Sequence, residues 1–312
     1  MEPQIHTLYE PATGTWQNIV GDPETRQAAV IDAVLDYNKE TGVIGTASAD
    51  QLLDVIQEHG YRVQWILETH AHADHLTASK YLQQRLIQRG QGTPMVGIGE
   101  HIDQTQRNMA VIYGISEAEL QNAFDHTFAD DSNFLIGALE ARVIHLPGHT
   151  PDHIGYIIGH NIFTGDSIFN PDVGSARCDF PGGSATALYQ SMQKLLAFPK
   201  DYRLYTGHDY PPKDRMIEGK TSAEAVPYTT VGEQLSSNKH VRAGTHRDEF
   251  VRWRAERDST LAEPKLLRQS MHVNLRGGRL PATVVDGFKV AFVPDCVAVA
   301  GSPVVAAAEL PA

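Results

Sequence analysis

Cysteine is almost missing from this sequence: Cys178 and Cys296 are the only two among 312 residues. They could form one bridge at most, which excludes a disulfide-stapled scaffold and a thiolate-rich metal site. Residues 1–15 carry no cleavable signal, so the two thiols fit a reducing cytoplasm. Basic residues are scarce as well. Only 26 Lys and Arg stand against 38 Asp and Glu, a formal net charge of −12. Nucleic acid and anionic membranes both call for a basic face, so neither is an expected partner. A long apolar run is also lacking. The most apolar stretch near the end, residues 290–308, is broken by Pro294, Asp295, Gly301 and Pro303, whereas a spanning helix needs ~20 mostly apolar residues.

What remains is an ordinary globular composition, 41% hydrophobic and 21% charged, with an unusual 15 histidines. The placement of those histidines is the main signal. Residues 28–34 form a short apolar run with one interior acid and read as a half-buried strand. Ser48 and Asp50 precede an apolar stripe of Leu52, Leu53, Val55 and Ile56, with Gly60 as the stop, which predicts a helix. Residues 62–67 predict a strand that empties into His70, His72, Asp74 and His75, and residues 76–89 predict the next helix.

The arrangement repeats. Residues 141–146 predict a strand leading to His149, and residues 154–158 and 161–164 a hairpin ending at Asp166. Residues 185–198 are amphipathic and helical, and residues 202–205 predict a strand that leads to His208. Four strand ends therefore deliver His or Asp to one rim, where loops take their position from the strands. Beyond Tyr210 the chain turns polar, with helices expected at 230–238 and 247–258, then a loop-rich tail.

In an extended loop residues i and i+2 point the same way, so His70 and His72 can face one ion while Asp74 and His75 face a second position. His149, Asp166 and His208 are the distant partners. Imidazole and carboxylate ligands of this kind suit Zn, Fe or Mn. Spacing alone fits a dinuclear zinc hydrolase, with a metal-bound hydroxide, as well as a single metal with His72, Asp74, His75 and His208 orienting its ligands and water.

The motifs T-H-A-H-A-D-H (69–75), P-G-H-T (147–150), T-G-D (164–166) and G-H-D-Y (207–210), in this order, resemble the metallo-β-lactamase superfamily. The resemblance implies an α/β fold, an αββα sandwich over residues 1–215, with residues 216–312 a helical and loop extension packed on it. The stretch after Asp166, S-I-F-N-P-D-V-G-S-A-R-C-D-F, looks like the persulfide dioxygenases through Gly174, Arg177, Asp179 and Phe180, although Ala176 stands where the mitochondrial members have Gly. T-A-S-A-D (46–50) and V-N-L-R-G-G-R-L-P (273–281) are similar to the bacterial members.

That second resemblance implies one Fe(II) per chain on His70, His149 and Asp166, glutathione persulfide and O2 as substrates, and a homodimer. The competing reading is a glutathione-thiolester (glyoxalase II type) or lactone hydrolase with one or two zinc ions; a non-catalytic metal or thiol binder is the third. For the glutathione carboxylates Arg177 is the first candidate contact, against a plain salt bridge to Asp172 or Asp179. Tyr210 and Arg276 are the further candidates. His153 is expected to pack under its loop, and Cys178 to be buried and inert. No sulfur-transfer domain is expected, because the residues after the sandwich lack a cysteine-centred loop.

Overall fold

A computed structural model of the chain describes residues 1–300 apart from 218, 219, 223, 284, 286 and 292. Two six-stranded sheets lie face to face. The first runs, in spatial order, Gln4–Glu10, Thr15–Gly21, Gln27–Ile31, Arg62–Leu67, Met95–Gly99 and His126–Phe128. Its first three strands pair antiparallel and the rest parallel. The second runs Asn133–Ile136, Leu139–His145, Ile154–Ile158, Asn161–Gly165, Arg203–Thr206 and Tyr228–Thr230. Only Asn161–Gly165 and Arg203–Thr206 pair parallel there.

Alternation along the strands sorts side chains into layers. Ala28 and Val30 join the cluster that packs Leu52, Leu53, Ile56, Leu82 and Leu86 onto the outer face of the first sheet. Ala29 and Ile31 face inward with Val143, Tyr156, Phe163 and Tyr205 of the second sheet. On the second sheet's outer face, Ile162 and Leu204 meet Leu188, Met192 and Leu195 of the helix Ala185–Leu196, together with Val231 and Phe250. Both sheets are covered on both faces, which is why their strands read as apolar runs. The order of layers is helix, sheet, sheet, helix, the expected αββα sandwich. No helix of the described residues is long and apolar enough to cross a membrane.

Two expected elements break where the site is built. The run 28–34 is not one strand: Gln27–Ile31 stops at Asp32, whose φ is 54°, and Val34–Asn38 starts a separate small sheet. Leu76 and Thr77 pair with that second strand, so the following helix begins at Ser79 and not at 76. The tail expected as loop contains the helix Leu267–Asn274; its Met271 and the following Leu275 pack beside Ala71 and Ala73.

Candidate metal centre

Four strands bring the polar residues together: Arg62–Leu67 precedes His70 to His75, Leu139–His145 precedes His149, Asn161–Gly165 precedes Asp166 and Arg203–Thr206 precedes His208. The histidine loop is held from three sides by groups outside its motif. Asp32 Oδ1 accepts the Thr69 N–H (2.8 Å), Asp152 Oδ2 accepts the Ala71 N–H (2.8 Å), and Asn274 Nδ2 donates to the carbonyls of His72 and His75 (2.7 and 2.8 Å). Gly148 lets the His149 loop approach the helix below it: φ is 141°, and a Cβ there would lie 2.2 Å from the Leu188 nitrogen.

His70, His149 and Asp166 are all buried, and one donor atom from each lies within 4.8 Å of the other two. Their tautomers follow from their partners. The Thr69 hydroxyl gives its proton to Asp32 Oδ2 (2.9 Å), so it must accept from His70 Nδ1 (3.0 Å), leaving Nε2 as a lone pair. His149 Nδ1 donates to the Arg177 carbonyl (2.7 Å), so its Nε2 is a lone pair too, 3.7 Å from Asp166 Oδ2. Burial, then the neighbouring imidazoles, holds the His70 pKa well below the ordinary value, so this ring is neutral. His70 Nε2 and Asp166 Oδ1 are buried atoms with no hydrogen-bond partner, which for a convergent imidazole and carboxylate is the signature of a cation site.

A second group, His72, Asp74 and His75, has its donor atoms within the same 4.8 Å. His208 Nε2 stands between the groups, 3.3 Å from Asp74 Oδ2 and 3.4 Å from Asp166 Oδ1. Burial disfavours both charges of this pair, yet His208 and His75 keep Asp74 well below the usual carboxylate range, and Asp166 and Asp74 raise His208. His72 differs from the others. Its Nε2 is 3.0 Å from Asp32 Oδ1 and 3.3 Å from Glu68 Oε2, both buried carboxylates, and its Nδ1 is buried without a partner. Glu68 is anchored by the hydroxyls of Thr77 and Ser79.

These groups border a cavity of about 1170 Å3 whose lining includes Asp74, His149, Asp166 and His208. Residues 19–208 match the family described as the Metallo-beta-lactamase superfamily. The chain belongs to this superfamily. Its members bind metal ions, and the clusters described above are this chain's candidates for holding them. Among relatives, a "Beta-lactamase hydrolase-like protein" of Agrobacterium fabrum is 42% identical over 91% of the chain, which spans 63% of that relative's length. The human mitochondrial "Persulfide dioxygenase ETHE1" is 32% identical, over 66% of this chain and 68% of its own. The crystal structure of ETHE1 from Myxococcus xanthus superposes with a TM-score of 0.67 and 27% identity, over 88% of this chain and 98% of its own.

The three expected substrate contacts of this superfamily member fare differently. Tyr210 is half-exposed, lines the cavity and stacks on His208 (ring centroids 5.6 Å, 10°). Arg177 lines it as well, but its guanidinium is bound by Asp179 through Nε (2.6 Å) and Nη2 (2.5 Å), and Nη1 donates to the Ala262 carbonyl (2.8 Å). That is the plain salt bridge to Asp179; Asp172 pairs instead with Arg215. Arg276 has to be corrected. It is buried, binds Glu119 Oε1 through Nε and Nη2 (3.1 and 2.8 Å) and the His272 carbonyl through Nη1, and does not line the cavity. Its neighbours in the N-L-R-G-G stretch carry the link to the site, through Asn274.

Four residues at the centre were absent from the sequence reading as functional groups: Asp32, Glu68, Asp152 and Asn274. Asp32 was visible only as a lone acid inside an apolar run. His153 was expected merely to pack; it is buried and its Nε2 accepts the Asp166 N–H (2.9 Å). Cys178 is buried, and burial pushes its thiol pKa up, away from reactivity.

Proposed function

We propose that the chain is a persulfide dioxygenase that oxidises glutathione persulfide with O2 and water to sulfite and glutathione, at one ferrous ion held by His70, His149 and Asp166. The observation that carries this reading is the set of two imidazole lone pairs and one carboxylate converging on a buried point, with each ring's other nitrogen tied to a fixed partner. Two histidines and one carboxylate on one face of a metal leave open positions, and ferrous iron so held supplies the redox chemistry that O2 activation needs.

The chain's own residues do the positioning. The Arg177 carbonyl fixes the His149 ring, whose other side meets the edge of Phe180 (5.1 Å, 86°). Phe169 and Phe180 line the cavity beside the ligand groups and exclude water from it. Burial, then Asp74 and Asp166, raises the Tyr210 pKa, so this phenol stays protonated as a hydrogen-bond donor. The cavity rim also carries Lys39, Lys239, Arg257 and Lys265, all exposed. A cationic rim on a chain of net charge −12 supports a substrate with carboxylates, as glutathione has. In this reading residues 1–215 hold the catalytic groups, residues from 216 onward brace them, the free cysteines fit the cytoplasm, and the homodimer is the expected assembly.

A second reading, a thiolester or lactone hydrolase with one or two zinc ions, is favoured by the second donor group of His72, Asp74 and His75. Oxygen uptake by ferrous-loaded protein given glutathione persulfide, with metal content measured on the same sample, separates the two. Uptake with sulfite formed is expected. No uptake by an iron-loaded sample, with hydrolysis of glutathione thiolesters under zinc, would replace the first reading by the second.

A further inference from the structure

A third histidine-rich group lies apart from the cavity. His101, Asp130 and His145 place one donor atom each within 4.8 Å of the others. They come from both halves of the sandwich. His101 precedes the helix Ile102–Tyr113 and Asp130 follows the strand His126–Phe128, both on the side of the first sheet; His145 ends the strand Leu139–His145 of the second. His101 Nε2 and His145 Nδ1 are each 3.1 Å from Asp130 Oδ2.

Hydrogen bonding makes this more than a chance contact. His145 Nε2 is 3.1 Å from the Pro151 carbonyl oxygen, which can only accept, so Nε2 carries the proton. Carrying that one proton, His145 presents Nδ1 as a donor atom for a cation on the side of the Asp130 carboxylate. A divalent cation between the two takes the place of the proton that otherwise bridges Nδ1 and the carboxylate. An imidazole with one nitrogen donating to a backbone carbonyl and the other turned toward the cation is also how histidine ligands are held at metal sites. Bonds of ~2.0–2.2 Å at tetrahedral angles put neighbouring donors about 3.3 Å apart, close to the two observed spacings.

From this we infer that His101, Asp130 and His145 form a second divalent-metal site, of zinc type, that ties the two sheets together at their surface edge. Two imidazoles and one carboxylate select a late first-row divalent ion over calcium or magnesium, which take all-oxygen shells. The rings now stack at 4.3 Å and 17°, and coordination asks them to open so that both lone pairs meet at one point. At 35% and 21% exposure the side chains of His101 and His145 have room to do so and are reachable from solvent. The inference does not depend on which metal or reaction the main cavity serves.

The test is zinc binding to the full chain, stripped with chelator and dialysed against graded zinc chloride, with zinc per chain measured by mass spectrometry. His101→Ala and Asp130→Asn are each compared with the unaltered protein. Both variants should bind one zinc fewer per chain over the range in which the unaltered protein fills the site. The unaltered protein's melting temperature should rise with zinc across that range, and the variants should lack that rise while keeping the same melting temperature without zinc. Equal zinc stoichiometry in the unaltered chain and both variants overturns the inference and leaves a hydrogen-bonded His–Asp–His trio.

Discussion

His153 Nε2 lies 2.9 Å from the backbone nitrogen of Asp166 and accepts its N–H. A backbone N–H only donates, so this ring nitrogen is a lone pair, and burial together with nearby His149 keeps the His153 pKa well below its ordinary value. The same ring stacks on His70 at 4.7 Å and 27°. Between them, Gly165 turns with φ 47°, and a Cβ there would fall 2.8 Å from His153 Nε2 and 2.5 Å from Thr69 Oγ1. One imidazole thus fixes where two of the proposed metal ligands stand.

Replacing His153 by Leu should lower metal affinity about 10–100-fold, the range typical for groups that orient ligands. It should also destabilise the fold by about 1–3 kcal/mol, since the buried Asp166 N–H loses its acceptor. His153→Gln, which can still accept, should recover part of the affinity. Competition with a chelator of known strength reads the first effect and thermal melting the second; an unaltered affinity in His153→Leu would return His153 to plain packing.

The rim cations and Arg177 make opposite predictions. Lys239 and Lys265 are exposed at the cavity mouth, whereas Asp179 already fills the fork of Arg177. Exposed charges contribute ~0.2–1 kcal/mol each, so the double reversal Lys239→Glu with Lys265→Glu should raise KM for glutathione persulfide roughly 3–10-fold with kcat little changed. The rise should shrink at high salt. Arg177→Ala should raise KM by less than that double change, because its loss frees no contact with substrate. Initial rates over a range of substrate and salt decide between the two sites.

The proposed ligand residues stand out in the sequence because each lies at the end of a strand in a short, recognisable motif. Their supports were not. Asp152 and Asn274 reach the histidine loop across 81 and about 200 positions of sequence, and nothing local to either marks it as a partner of that loop. Asp32 hid in an apolar run because a strand that is buried on both faces and a strand that ends in a left-handed turn look alike until their neighbours are known. Arg276 failed for a related reason: an arginine near a family-like stretch reads as a substrate contact, but Glu119, 157 positions away, had already claimed it.

Acid should weaken the fold through two neutral histidines away from the ligands. Burial, with Arg276 and Arg268 adding like charge, pushes the His272 pKa down to about 4, and burial pushes His240 down to about 3. In the unfolded chain both titrate near ~6.5. Between these values the unfolded state holds more protons, so their stabilisation is complete above about 6.5 and is lost as pH falls toward 4. The melting temperature should drop on acidification through that window, and His272→Gln should drop less steeply. Equal slopes for both proteins would show that His272 takes up its proton as readily when folded.

Asp32 offers the strongest test of how the site is braced. Its Oδ1 accepts the Thr69 N–H and lies 3.0 Å from His72 Nε2, while Oδ2 takes the Thr69 hydroxyl proton, which in turn forces the His70 tautomer. The backbone φ of 54° adds a second demand, one that Asn and Asp meet better than most residues. Asp32→Asn keeps that turn and one acceptor but brings an NH2 where an oxygen stood. If the amide donates to Thr69 Oγ1, the hydroxyl must turn its own proton elsewhere, and His70 Nδ1 is the neighbour able to receive it. The His70 lone pair then no longer sits reliably at Nε2. Metal affinity should fall about 10–100-fold while circular dichroism stays native. Asp32→Ala should lose affinity and also stability, because it removes every acceptor and strains the left-handed turn. Full metal retention in Asp32→Asn would mean that the Thr69 relay does not set the His70 ring, and that the proposed ligand is held by packing against His153 alone.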